Sequence, residues 1–365
     1  MNPDDVERRL SDAFTAQAYQ AVNDQVPVPP LDFDRELVRH VPQRRRSIAK
    51  IIAPLAAAAA IAGIAIGVAA HQDNHHSNRI SAGRSTVNVG SPTGAPTSAT
   101  LPPTGLVHLA FRLSSGSQVG VGMPVIAYLS RTITDARPLQ AATRVTADNK
   151  PVTAAWYFAP VAGRPGAAMQ AHLRMEGYWP AHAKIVVKVA ARGLAAGRGL
   201  IYDQDASLTF ETGAATIATV DDSTHLMSVT EDGKPLGQFP VSLGASDTPT
   251  EHGVKVIMEK GANICLTGPG YHECNLKYTQ QLTASGEYLV AAPWNAKNIA
   301  QGIDSSNGCT NLTTSDAAKL YGILEIGDVV NYPNATGAHM PFADGLGDWN
   351  VPWKTWLTGG MVATH

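Results

Sequence analysis

The chain has 365 residues, 44% apolar and 16% charged, enough for two or three domains and too apolar for a wholly disordered protein. Its 28 Lys and Arg nearly cancel 30 Asp and Glu, so no overall field points to nucleic acid and no such partner is expected. Aromatics at 6%, beside 33 Gly and 24 Pro, favour short strands joined by turns over a helical bundle.

In chain order, residues 1–46 read as a cytoplasmic tail, with a short helix near Asp4 to Phe14 and acids in its first turn. Ile51 to Ala70 is a run of 20 residues without a charge, long enough to cross ~30 Å of hydrocarbon. Arg44, Arg45, Arg46 and Lys50 precede it and no Lys or Arg follows until Arg79, which orients the N-terminus inward. The expectation is a single-pass anchor over 47–71, a membrane partner through that helix, a cell-membrane location, and all later residues facing outward. Residues 72–104 are rich in Ser, Thr, Asn, Gly and Pro and read as a tether.

Residues 105–213 carry strand-like runs at Val107 to Phe111, Pro124 to Tyr128 and Lys184 to Val189, separated by turn residues, as in a β-sandwich. The block contains no cysteine, so its core must rest on packing. It reads as a spacer or docking module. From 214 to 340 a second β-rich unit follows: Ala218 to Thr230 predicts two strands around an Asp221-Asp222-Ser223 turn, with a further turn at Glu231 to Lys234. Ser315 to Leu324 predicts a short helix capped by Ser315, and Gly327 to Val330 a turn into a strand. Residues 341–365 form a C-terminal extension.

Of three cysteines, Cys265 and Cys274 lie nine positions apart around Thr267-Gly268-Pro269-Gly270, a spacing at which they can meet across a hairpin. That bridge leaves Cys309, in Asp304-Ser305-Ser306-Asn307-Gly308-Cys309-Thr310-Asn311-Leu312. Gly308 permits a tight turn that can converge backbone N–H groups near the sulfur. A thioester-forming cysteine needs such donors for the oxygen that gains charge, and a thiolate. A buried structural cysteine is the plainer alternative. The covalent reading requires the sulfur to face a groove. No metal or cofactor is expected.

Tyr288-Leu289-Val290-Ala291-Ala292-Pro293-Trp294, followed by Ser306-Asn307-Gly308-Cys309-Thr310-Asn311-Leu312, resembles the paired motifs of the YkuD-type L,D-transpeptidases, in the actinobacterial, mycobacterial-type branch. Thr248-Pro249-Thr250 with Gly253, and Asp344-Gly345-Leu346-Gly347-Asp348-Trp349-Asn350-Val351-Pro352-Trp353, extend the match. After the transmembrane helix expected from the charge-free run, the resemblance implies a mainly β fold: an immunoglobulin-like β-sandwich, then a β-rich catalytic domain with a small helix. Together with that expected anchor it implies a membrane-anchored cysteine acyltransferase of peptidoglycan cross-linking, with stem peptides as partners and carbapenem-type β-lactams as covalent ligands. By resemblance Cys309 is the nucleophile, the N–H groups of Gly308, Cys309 and Asn307 form the oxyanion hole, and Tyr271, Trp294 and Asn311 shape the acyl pocket. The family's motif histidines correspond to Val290 and Asn307, so the general base is missing. His272, beside Tyr271, is the candidate surrogate base. The alternative is an inactive homologue that binds stem peptides or regulates a true transpeptidase.

Overall fold

The computed structural model describes residues 105–161, 164–268 and 271–365, without the side chains of 266–273. The N-terminal part is a sandwich. Its four-stranded sheet runs Leu109–Phe111, Val125–Leu129, Met169–Arg174, Ala155–Ala159. Its five-stranded sheet runs Gln118–Val119, Ala206–Thr212, Lys184–Val189, Thr143–Ala147, Lys150–Pro151. Alternation explains the layers: Lys184–Val189 buries Ile185, Val187 and Val189 and turns its two lysines outward. Without a disulfide, the centre is filled by aromatics, and its two tryptophans have their polar tips bonded: Trp156 Nε1 donates to Thr143 Oγ1 at 2.8 Å, and Trp179 Nε1 to the Met123 carbonyl at 2.7 Å.

The expected strand over Val107 to Phe111 is two. Gly105–Val107 pairs with Leu200–Tyr202 in a small third sheet, whereas Leu109–Phe111 joins the sandwich. His108 makes the crossing: its N–H donates to Ser130 Oγ at 2.8 Å and its Nδ1 meets Asp203 Oδ2 at 2.9 Å, so neither sheet claims it.

The second part holds a five-stranded sheet, Lys234–Pro240, Leu226–Glu231, Thr216–Asp221, Val329–Tyr332, Gly253–Val256, and a four-stranded sheet, Glu259–Gly268, Tyr271–Gln281, Tyr288–Ala291, Thr310–Leu312. Helix Thr314–Ile323 buries Ala317 and Leu320 in the core that both sheets share. Its cap is Thr313, whose Oγ1 accepts the Asp316 N–H at 3.2 Å, and not Ser315, which lies inside the first turn.

The C-terminal extension fastens the two parts together. Asn350 exchanges hydrogen bonds with the Val254 backbone at 2.8 and 2.9 Å, while Trp349 Nε1 donates to the Gly122 carbonyl at 2.7 Å. Arg174 lies over the rings of Trp349, Trp353 and Trp356 at 4.8, 5.3 and 4.2 Å, and buried His172 meets buried Asp348 at 2.7 Å. At the same seam Gly120 leaves no room for a side chain: a Cβ there would stand 2.2 Å from the Asp328 nitrogen. Burial pushes the Asp328 carboxyl up from an ordinary 3.8 to about 7. The folded state therefore holds this proton more tightly than the unfolded state does, and stability from this site is lost as pH rises from about 4 through 7. Asp328→Asn should gain ~2–4 kcal/mol over the parent at pH 8 and little at pH 4, read by urea unfolding at both values.

The expected membrane anchor is not upheld. Among the described residues no helix is long and apolar enough to cross a membrane, and the stretch 51–70 on which the expectation rested lies outside them, as do the tail 1–46 and the tether 72–104. Half of that stretch is alanine, which contributes little to insertion, so an absence of charge is weak ground for a span. The membrane partner, the cell-membrane location and the anchored form of the function are withdrawn with it; the fold is mainly β with small helices.

Candidate active site

Cys309 ends a tight loop whose geometry comes from Gly308, at φ +99°, a conformation that favours glycine. The loop is held by its carbonyls. Ser306 O accepts from the Ala245 N–H at 2.8 Å and Thr248 Oγ1 at 3.0 Å, and Gly308 O accepts from Thr250 Oγ1 at 2.9 Å. A trans peptide sets N–H opposite to C=O, so the Asn307 and Cys309 N–H groups point away from those anchors. The loop thus aims donors to one side of the chain near the sulfur.

Cys309 carries a thiol, which donates to the Gly286 carbonyl at 3.7 Å. The residue is only 6% exposed. It packs with Leu276, Tyr288 and Val290, and Ile264 and Trp294 lie against the same cluster. The sulfur is thus covered on several sides by apolar groups rather than lying open along a groove. Val290 sits on the strand Tyr288–Ala291, in parallel register with Asn311. Asn311 is buried, its backbone exchanging bonds with Ser242 at 2.9 and 3.1 Å. Asn307 keeps its Oδ1 3.5 Å from Thr248 Oγ1, while its Nδ2 is buried without a hydrogen-bond partner. Cys309, Gly308, Asn307, Trp294 and Asn311 are therefore close together.

Cys265 and Cys274 are joined in a disulfide across the hairpin of Glu259–Gly268 and Tyr271–Gln281. Tyr271 and His272 lie at the hairpin tip, in register with Gly268 and Thr267; their side chains are outside the description. The other nearby histidines are engaged: His252 Nδ1 meets the Gly337 carbonyl at 2.8 Å, its ring edge-on to His339 at 5.0 Å.

Three charged groups that the sequence reading missed lie beside the loop. Glu287 takes the Lys255 ammonium on one carboxylate oxygen and the Glu251 N–H, at 2.8 Å, on the other. Burial pushes the Glu287 carboxyl up, while Lys255 and the Glu251 N–H pull it back. Glu251 is pushed up to about 7 by burial and then by the charges of Glu287 and Asp344, and its Oε2 is buried without a hydrogen-bond partner. The only local signal is Lys255 itself, a lone lysine in the apolar strand Gly253–Val256.

Farther along the loop, Asp304 accepts the Leu243 N–H at 2.7 Å and meets His225 Nε2 at 3.3 Å. With Asp222 these residues bring three ligand-type atoms within 4.8 Å of one another, the one such grouping among the described residues. Asp222 is pushed up to about 6, mainly by burial and then by its hydrogen bond to Asp304.

Comparison with known proteins bears on this geometry. Residues 215–331 match the L,D-transpeptidase catalytic domain family (YkuD), and residues 80–195 match the bacterial Ig domain family. L,D-transpeptidase 2 of Mycobacterium tuberculosis is 30% identical over 258 residues, covering 68% of this chain and 61% of that protein. L,D-transpeptidase 5 of the same species is 31% identical over 266 residues, covering 71% and 57%. The chain thus spans about three-fifths of the length of these relatives. A solved L,D-transpeptidase from Mycobacterium smegmatis is 26% identical with a TM-score of 0.48, covering 62% of this chain and 99% of that one.

Proposed function

Because the chain carries a YkuD-type L,D-transpeptidase catalytic domain behind an immunoglobulin-like domain, related to the mycobacterial enzymes, we propose that it is a cysteine acyltransferase acting on peptidoglycan stem peptides. The observation that carries this reading is the Cys309 thiol on a loop whose carbonyls are tied back, leaving adjacent N–H groups aimed the other way.

In this mechanism Sγ attacks the carbonyl carbon before the terminal D-Ala of a tetrapeptide stem. The oxygen takes up charge facing the Cys309, Gly308 and Asn307 amides. The C–N bond breaks, D-Ala leaves as the amine with a proton, and a thioester remains. An amine on a neighbouring stem then attacks the thioester and restores the thiol. Tyr271, Trp294 and Asn311 shape the acyl pocket. Trp294 flanks the cysteine cluster, and Asn311 follows the nucleophile on the strand Thr310–Leu312. Val290 and Asn307 stand where the family has histidines, so proton removal from the thiol is slow unless His272 or another group substitutes.

One observation favours a second reading, an inactive homologue that binds stem peptides or regulates a true transpeptidase: Cys309 is 6% exposed against Val290 in an apolar cluster. The readings separate on exchange of a labelled D-amino acid onto a tetrapeptide by the full chain. Exchange that disappears in Cys309→Ala supports the enzyme; saturable peptide binding with no exchange supports the second reading.

A further inference from the structure

Lys255 is fully buried and Glu287 is 8% exposed. An interior ion pair of this kind does little for folding, because an apolar pair of equal volume is often as stable. Its contacts instead close a ring around the nucleophile. The Glu287 carboxylate lies 3.5 Å from where a Cβ on Gly308 would stand. Glu287 is also the chain neighbour of Gly286, whose carbonyl receives the Cys309 thiol at 3.7 Å. On the other side Thr310, directly after Cys309, shares a 2.6 Å hydrogen bond with the Tyr332 hydroxyl. The Tyr332 ring in turn carries the Lys255 ammonium 4.0 Å from its centroid. One partner of the pair therefore lies beside the residue before Cys309, and the other reaches the residue after it through a tyrosine.

We propose that the Lys255–Glu287 pair positions Cys309 and sets how readily its thiol gives up a proton. Glu287, next in the chain to the Gly286 carbonyl that receives the thiol, sets a carboxylate beside Gly308. Lys255 holds Tyr332 against Thr310, and its ammonium cancels a carboxylate charge that would oppose a thiolate. The inference rests on Cys309 being the nucleophile. It gives the two partners opposite signs. Without the carboxylate, the ammonium stands alone and favours the thiolate; without the ammonium, the carboxylate stands alone and disfavours it. Of the other titratable groups facing the site, Asp344 from an adjoining segment and Tyr332 from its strand are the same in every variant. Glu251, raised by the Glu287 charge and lowered by Lys255, changes its protonation with each substitution in the direction that shrinks each single-variant shift without reversing its sign.

The test is the rate of iodoacetamide alkylation of Cys309 in the full, unreduced chain from pH 5.5 to 9.5, followed by intact mass. It uses no peptide and so does not depend on acyl transfer. Glu287→Gln should lower the midpoint by about one pH unit and speed labelling at pH 7 by about tenfold. Lys255→Met should raise it by a similar amount, and the double variant should return close to the parent. If Lys255→Met does not fold, Glu287→Gln against the double variant makes the same comparison. Midpoints that all stay at the parent value, or single variants that shift the same way, overturn the proposal. Shifted midpoints in a protein that accepts no acyl group would instead count against the transpeptidase reading.

Discussion

Replacing Val290 by histidine is expected to raise the rate at which Cys309 is acylated by a carbapenem at least about tenfold. Val290 belongs to the cluster that contains Cys309, on the strand that runs parallel to Thr310–Leu312, so an imidazole on this strand starts within reach of the sulfur. A thiol with an ordinary value of ~8.5 is only a few per cent thiolate at neutral pH, and a placed general base contributes ~10²–10⁴ in rate. Histidine is larger than valine, however, and Leu276, Ile264 and Trp294 crowd the same space, so overpacking of ~1–3 kcal/mol will take part of the gain. Adduct formation followed over time by intact mass gives the rate, with Val290→Gln as the control of similar bulk and no base. A histidine variant no faster than the glutamine one would mean that the cleft lacks more than a proton acceptor.

Trp356→Ala is expected to cost ~3–5 kcal/mol of stability and to release the C-terminal extension. Trp356 is fully buried, donates from Nε1 to the Ala155 carbonyl at 2.8 Å, stacks on Tyr157 at 4.8 Å, and lies 4.2 Å from the Arg174 guanidinium. Burial lowers Arg174 to about 10, which leaves it charged at neutral pH; the charge is made tolerable by hydrogen bonds to the Met175, Glu176 and Val351 carbonyls, by the Asp348 carboxylate and by the tryptophan faces. Truncation therefore leaves a cavity, an unpaired carbonyl and a less shielded cation together. Trp356→Phe should lose far less, since it keeps the apolar faces. Chemical unfolding measures the cost, and proteolysis after residue 340 reports release; a loss under ~1 kcal/mol would show that the extension is not part of the core.

What the sequence disclosed and what it hid follow from the range of the interactions involved. Local rules located the strand Lys184–Val189, the hairpin of Thr216–Asp221 and Leu226–Glu231, and the turn at Gly308, because alternation and turn chemistry act over a few residues. The hairpin spacing of Cys265 and Cys274 is likewise a local signal. His108 divides an apparently continuous strand because Ser130 and Asp203, 22 and 95 positions away, draw it out of both sheets. Thr313 takes the cap from Ser315 because its hydroxyl lies one residue before the helix. The charged ring beside Cys309 was invisible, since Lys255 and Glu251 reach Glu287 across 32 and 36 positions through sheet packing that no short window contains. The cover over the sulfur was missed for the same reason: Leu276, Tyr288 and Val290 come from two neighbouring strands of the folded sheet.

The ability of Cys309 to form an acyl bond is tested most directly by intact-mass analysis of the full chain incubated with a carbapenem at pH 7 and pH 9. The expected result is a gain of one β-lactam mass, faster at pH 9, mapping to the peptide that contains Cys309 and absent from Cys309→Ala. No adduct at pH 9, under conditions where iodoacetamide labels Cys309, would contradict the account: the thiol would then be reachable and ionised, yet unable to take an acyl group.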